Sequence, residues 1–214
     1  MNYLIFIFTV SVFLYDSSNG FDYWMIAQTW PPGFCMHEQC AATVPKPYKF
    51  TVHGLWPSTY RWSPPLQCTR TPLDLSMIKP IDGELERVWP SYFGGNKKNG
   101  EFWKHEWWKH GTCSNLQQLD YFKLTLDIYA RNDLAKILEN AGISHGALYP
   151  IHQVISVLRA SLGVRPQLKC IKGDLVEVRL CLNTNTIPQY INCANIRYSD
   201  CEFETLPVPS LRFP

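Results

Sequence analysis

Two short segments hold most of the side chains able to move a proton. The first, EFWKHEWWKHGTC at 101–113, interleaves His105, Glu106, Lys109 and His110 with Phe102, Trp103, Trp107 and Trp108. In a helix, His105 lies one turn from Lys109 and Glu106 one turn from His110, so the four polar groups form a single stripe flanked by aromatic rings. A solvated ladder of ion pairs accounts for the charges but not for the tryptophans beside them. The second segment, FTVHGLWP at 50–57, places His53 at the end of an apolar strand, directly before Gly54. A lone histidine there is ordinarily a satisfied core or turn residue. Its company changes that reading, because a second histidine, an acid and a lysine follow about fifty residues later.

The stripe does not read as a metal site. His-Glu-x-x-x-His is one residue longer than the zinc-protease pattern. Five residues advance a helix by about 500°, so the two imidazoles diverge by about 140° instead of converging on an ion. No metal and no cofactor is implied. Opposed imidazoles with a cation between them suit phosphoryl chemistry near neutral pH, one ring free and the other protonated.

The elements that must position these groups form an α+β domain. Tyr23 to Thr29 and Phe50 to His53 are apolar and β-prone, and Asp174 to Leu182 alternates with Val176, Val178, Leu180 and Leu182 on one face. Helical spacing runs through Leu119, Phe122, Leu126 and Tyr129, and again through Ile151, Val154, Ile155, Leu158 and Leu162 after Pro150. Asp133 is placed to cap a short helix carrying Leu134, Ile137 and Leu138 and ending at Gly142. Strands, then helices, then strands predict a central antiparallel or mixed sheet with several helices. Prolines at 31–32, 45, 47 and 64–65 mark turns. With 214 residues, no internal repeat and no long linker, one domain over 21–214 is the simplest partition.

Composition fixes the compartment. Met1 to Leu14 is almost wholly apolar, and Ser18 and Gly20 precede a suitable cut before Phe21, which predicts a signal peptide over 1–20 and a secreted protein. The run is shorter than the roughly 20 residues that span a bilayer, so no membrane association is expected. Losing the leader removes Asp16 and leaves 20 basic against 17 acidic residues, a net charge of +3 that permits a polyanionic substrate without demanding one. All eight cysteines lie beyond the leader, and an even count in a secreted chain implies four disulfides. Spacing alone does not choose the pairing, and no Cys-x-x-Cys pair supports zinc.

FTVHGLWP and HEWWKHGTC resemble the two active-site segments of the ribonuclease T2 family, whose plant members include the S-RNases of self-incompatibility and the S-like RNases. The resemblance runs through nearly the whole mature chain, from FDYW and AQTWPP through ERVWPSYF to Cys201. It implies disulfides Cys35–Cys40, Cys68–Cys113, Cys170–Cys201 and Cys181–Cys193. It implies His110 as the general base that takes the ribose 2′-OH proton and His53 as the general acid toward the departing 5′-oxygen. Glu106 and Lys109 would stabilise the phosphorane, and His105 would help hold the phosphate. RNA brings its own nucleophile, so such an enzyme needs only positioned proton carriers and cations. A 2′,3′-cyclic phosphate would form first and be opened by water more slowly, and DNA would be inert.

The resemblance also places Trp56, Phe93 and Phe102 near the base pockets, where a ring stacks on a base for about 1–3 kcal/mol. Thr29, Ser58, Ser91, Phe93 and Gly94 depart from the base-reading residues of characterised relatives, so single-stranded RNA without a stated base is the expected substrate. Within the family, the basic pI near 8.1 favours a stylar S-RNase, whose partners would be pollen F-box proteins meeting a surface between Tyr60 and Thr71. The absence of any Asn-x-Ser/Thr acceptor favours an S-like RNase of phosphate salvage or defence. A catalytically silent storage or recognition protein is the contrasting class, and both proton carriers argue against it. A monomer is expected.

Overall fold

The computed structural model describes residues 20–41, 44, 46–61, 63–94, 98–193, 201 and 210–214. The leader expected over 1–20 lies outside these residues except for Gly20. The fold is a single α+β domain built on an open sheet. Strands β1 (Tyr23–Thr29), β2 (Thr51–Ser58), β3 (Ala147–Pro150), β4 (Gln167–Ile171), β5 (Asp174–Leu182), β6 (Tyr190–Ile191) and β7 (Ser210–Phe213) form it. The order is β2-β1-β5-β7-β3, with β4 and β6 also on β5. All pairs are antiparallel except a short parallel contact between β5 and β7.

Helices α1 (Pro31–His37), α2 (Leu75–Ile78), α3 (Asp82–Val88), α4 (Asn99–Lys109), α5 (Gln118–Tyr129), α6 (Leu134–Asn140) and α7 (Ile151–Leu162) complete the domain. Asp133 caps α6 by accepting from the Lys136 amide, and Gly142 ends it at φ 76°. The α7 stripe buries Ile151, Val154 and Leu158 as its spacing predicts. In α5 only Phe122 and Leu126 of the expected stripe are fully buried, with Leu119 and Tyr129 half-buried, and Tyr121, Thr125 and Ile128 join them because this helix is wedged between the sheet and α2.

Strand β5 is likewise buried on both faces instead of one. It is central, and charged residues in its middle, Glu177 and Arg179, find partners on the face away from Val178, Leu180 and Leu182. The main core joins Trp24, Ile26, Val52, Leu55, Trp89, Trp103 and Phe122, among others. A smaller cluster of Tyr23, Met25 and Cys181, with Trp56 against it, occupies the opposite face of β1. Four disulfides close the fold: Cys35–Cys40, Cys68–Cys113, Cys170–Cys201 and Cys181–Cys193.

The strand expected to end at His53 continues to Ser58. Two properties of β2 permit this. As an edge strand it tolerates Pro57, which has no amide proton to give. It also contains a bulge: Gln28 pairs with Val52 and Ala27 with Gly54, so His53 is the extra residue. The bulge reverses the alternation, and Phe50 and Val52 before it share the core with Leu55 after it.

The free edge of β2 is covered by polar tips of aromatic side chains. Trp89 Nε1 donates to the His53 carbonyl at 2.9 Å, Tyr121 Oη to Leu55 at 2.8 Å and Tyr129 Oη to Phe50 at 2.7 Å. Each ring fills the core while its donor satisfies a backbone acceptor that would otherwise template another chain. Tyr121→Phe keeps the ring and strands the buried Leu55 carbonyl, so urea unfolding should show a loss of about 1–3 kcal/mol with an unchanged slope.

Candidate active site

Three elements converge on one cleft. The bulge in β2 aims His53 out of the main core, and Trp56 follows on the same face as the Tyr23–Met25 cluster. Helix α4 ends here, with Glu106 in its last turn and His110 as its C-cap residue, at φ −123° and ψ −47°. The chain then tightens through Gly111–Cys113, and the Cys68–Cys113 bridge ties that turn to the loop before α2. From β5 come Glu177 and Arg179, reaching the cleft across Thr29 and Ala27 of the intervening strand.

Trp56 is the centre of the arrangement. His110 stacks on its ring with centroids 5.1 Å apart and planes 27° apart, while His53 meets it edge-on at 5.2 Å. Its Nε1 donates to Glu106 Oε2 at 3.1 Å. Both imidazoles and the carboxylate therefore sit around one indole. Gly54 makes this possible, since a β-carbon there would collide with the Glu106 carboxylate and the Trp56 nitrogen.

The helical stripe of His105, Glu106, Lys109 and His110 is split by depth. Glu106 and His110 are buried, Lys109 is half-buried and His105 is exposed at the rim. Trp103 and Trp107 are core, donating to the carbonyls of Trp89 at 2.9 Å and Thr71 at 3.0 Å. Trp108, which flanks the same stripe, is instead 42% exposed and lies near His105, because it falls on the outer side of α4.

The two imidazoles have opposite surroundings. His53 Nδ1 lies 2.6 Å from Glu177 Oε2. Burial disfavours its charged form, but the Glu177 hydrogen bond, the Glu177 charge and then Glu106 outweigh that and raise its pKa. His110 has no such carboxylate, and its Nδ1 is buried without a hydrogen-bond partner among the described residues. Burial first, then the positive charges of Lys109, His53 and His105, push it down to about 3. The surroundings thus favour the charged form of one ring and the free form of the other. Glu106 is raised, chiefly by burial and against the pull of His53, the Trp56 hydrogen bond and Lys109. His105 is lowered by burial, Lys109 and His53.

Beside His53 a small cavity of about 60 Å³ is walled by Phe93, Phe102, Phe34, Ser91 and Thr29. Phe93 and Phe102 flank it, whereas Trp56 does not line it and is engaged between the histidines. Ser58 is buried and turned away, donating to the Trp56 carbonyl at 3.1 Å. A larger cavity of about 480 Å³, beside Trp30, Tyr48 and Phe213, shares none of these residues and contains no comparable pair of proton carriers. Among the described residues no cluster of histidines, cysteines and carboxylates is arranged to hold a metal ion.

Sequence reasoning missed Glu177 and Arg179. The available signal was a pair of opposite charges two residues apart inside an otherwise apolar strand, a placement that demands buried partners.

Residues 21–193 match the family model described as the Ribonuclease T2 family, and the chain belongs to that family. Its members are metal-independent endoribonucleases, and RNA is the substrate. The chain is 33% identical to intracellular ribonuclease LX of Solanum lycopersicum over 83% of its length and 79% of that protein's. It is 30% identical to extracellular ribonuclease LE of the same plant over 84% of each. Ribonuclease MC1 from bitter gourd seeds superposes with a TM-score of 0.77 at 29% identity, over 90% of this chain and all of that one. A variant of that enzyme has been solved with 5′-GMP.

Gly54→Ala forces Glu106 and Trp56 apart, at a cost of about 1–3 kcal/mol for the overpacked site. Initial rates on RNA should fall well beyond what a melting curve of the same variant explains. The pH dependence of kcat/KM follows from the two rings. Activity should fall on the alkaline side as His53 loses its proton above the ordinary histidine value of 6.5. On the acid side it should persist until His110 is protonated near pH 3. A stopped assay across that range on a single dinucleotide measures both limbs.

Proposed function

We propose that this cleft cleaves single-stranded RNA by transphosphorylation, with His110 as general base and His53 as general acid. The observation that carries the reading is the arrangement of two imidazoles around one indole in opposite surroundings: Glu177 favours the charged form of His53, and burial beside cations favours the free form of His110. His110 removes the 2′-OH proton, the oxygen attacks phosphorus, and His53 protonates the leaving 5′-oxygen. Water then opens the 2′,3′-cyclic phosphate with the roles reversed. Lys109 and Glu106 face the charge that develops on the phosphorane, Glu106 acting from its hydrogen bond to Trp56, and His105 at the rim meets the phosphate. The base of the cleaved nucleotide enters beside Phe93 and Phe102, and Trp56 orients the catalytic groups more than it stacks on a base.

The protein acts as a secreted monomer, supported by the apolar leader and by four disulfides that suit an oxidising compartment. Among the described residues no helix is long and apolar enough to cross a membrane. The self-incompatibility role, with pollen F-box proteins as partners at the exposed residues between Tyr60 and Thr71, rests on the basic charge and the resemblance to S-RNases. The S-like reading is favoured by the missing glycosylation acceptor and by the likeness to ribonucleases LX and LE. Transcript restricted to the style supports the first role, and induction by phosphate starvation supports the second.

Purified protein should release acid-soluble fragments from RNA in the presence of EDTA and leave DNA intact. His53→Ala and His110→Ala should each lower kcat by about 10²–10⁴, while His105→Ala retains measurable activity. Full activity in either of the first two variants overturns the mechanism.

A further inference from the structure

We propose that Glu177, braced by Arg179, is a positioning residue that fixes the orientation of the His53 acid and keeps it supplied with its proton. The inference rests on the assignment of His53 as the acid, and it extends the site to a strand that no sequence motif marks.

Both oxygens of the Glu177 carboxylate are committed. Oε2 takes the His53 Nδ1 proton at 2.6 Å, and Oε1 takes Arg179 Nε at 2.6 Å. Glu177 is only 4% exposed, so water does not compete for these contacts. The Arg179 guanidinium also lies over the Trp56 ring, 5.4 Å from its centroid, which closes the loop back to the indole between the histidines. On the other side, the His53 carbonyl is held by Trp89. The imidazole is thereby fixed at its backbone and at Nδ1. Only Nε2 is left to face a leaving oxygen, and the proton it delivers there is taken back from the water that opens the cyclic phosphate, while Nδ1 stays bonded to Glu177.

The surrounding charges set the direction of the effect. From β5, Glu177 favours the charged ring, and from α4, Glu106 does the same. Lys169 on β4, paired in register with Glu177, opposes it, and His105 at the rim is the facing group on the helical side that is coupled to it. Without the Glu177 carboxylate, the cations and burial prevail, and His53 becomes a ring that gives up its proton too early. Arg179 keeps Glu177 ionised in turn, overcoming together with His53 the burial that would raise it.

Glu177→Gln preserves size and removes the charge, and its single amide oxygen can accept from only one of His53 and Arg179. On RNA or a dinucleotide, kcat should fall about tenfold or more with KM little changed. The alkaline limb of kcat/KM should move down by about one pH unit. On a nucleoside 3′-(4-nitrophenyl phosphate), whose leaving group departs without a proton, the variant should keep most of the wild-type rate. Arg179→Met should show the same pattern in weaker form and serves if Glu177→Gln does not fold. Equal losses on both substrates, or an unmoved alkaline limb, overturn the proposal. If His53→Ala is inactive on RNA while Glu177→Gln is fully active, the positioning role fails and the two-histidine reading survives.

Discussion

The close approach of helix α4 to the bulged edge strand β2 is the constraint on which the rest of the structure depends. Glu106 and Trp56 meet over Gly54, where nothing larger than hydrogen fits. That contact sets the depth of the helix end, and through it the place of His110 on the indole. The sheet side is fixed by other means: the bulge re-aims His53, Trp89 anchors its carbonyl, and Tyr121 anchors that of Leu55. The Cys68–Cys113 bridge, closing 45 residues, holds the turn that follows His110 and removes about 4 kcal/mol of freedom from the unfolded chain in the loop-entropy view.

Concentrating ionisable groups in a buried cleft sets a stability problem that the same groups resolve. Glu106 and Glu177 are almost wholly buried, and each is engaged by a donor from another element. His53, raised in the folded state, contributes stability that is complete below its unfolded value of 6.5 and fades as pH rises through its folded value. Glu177, lowered, contributes above about 4.5 and loses that contribution as pH falls. The pair is therefore most stabilising between those limits. His110 works the other way: the unfolded chain protonates it first as pH drops below 6.5, which draws stability away in acid. The site accepts this because a ring that stays free is what the base must be.

Much of the domain was legible in the chain because local rules dominate there. The α7 stripe, the Asp133 cap, the Gly142 stop and strand β1 follow from period and capping chemistry over a few residues. The chemistry-bearing segments were legible for the same reason, since histidines, an acid and a lysine among tryptophans are odd at close range. The illegible parts involve partners distant in sequence. His53 and Glu177 are 124 residues apart, and the strand carrying Glu177 looked one-sided because its charged face gave no sign of being covered. The continuation of β2 through Gly54 and Pro57 was hidden because those residues argue against a strand unless it is at an edge and bulged.

The sequence by itself determined the inventory: two proton carriers, an acid and a lysine in one segment, a disulfide-bonded α+β domain, and family membership on two motifs. Tertiary structure decided the roles. It gave one imidazole a buried carboxylate and left the other without, and it sank Glu106 and His110 while leaving His105 and Trp108 at the surface. Those differences come from burial and from charges across strands and helices. Both depend on which distant residues are packed together, and no local spacing encodes that.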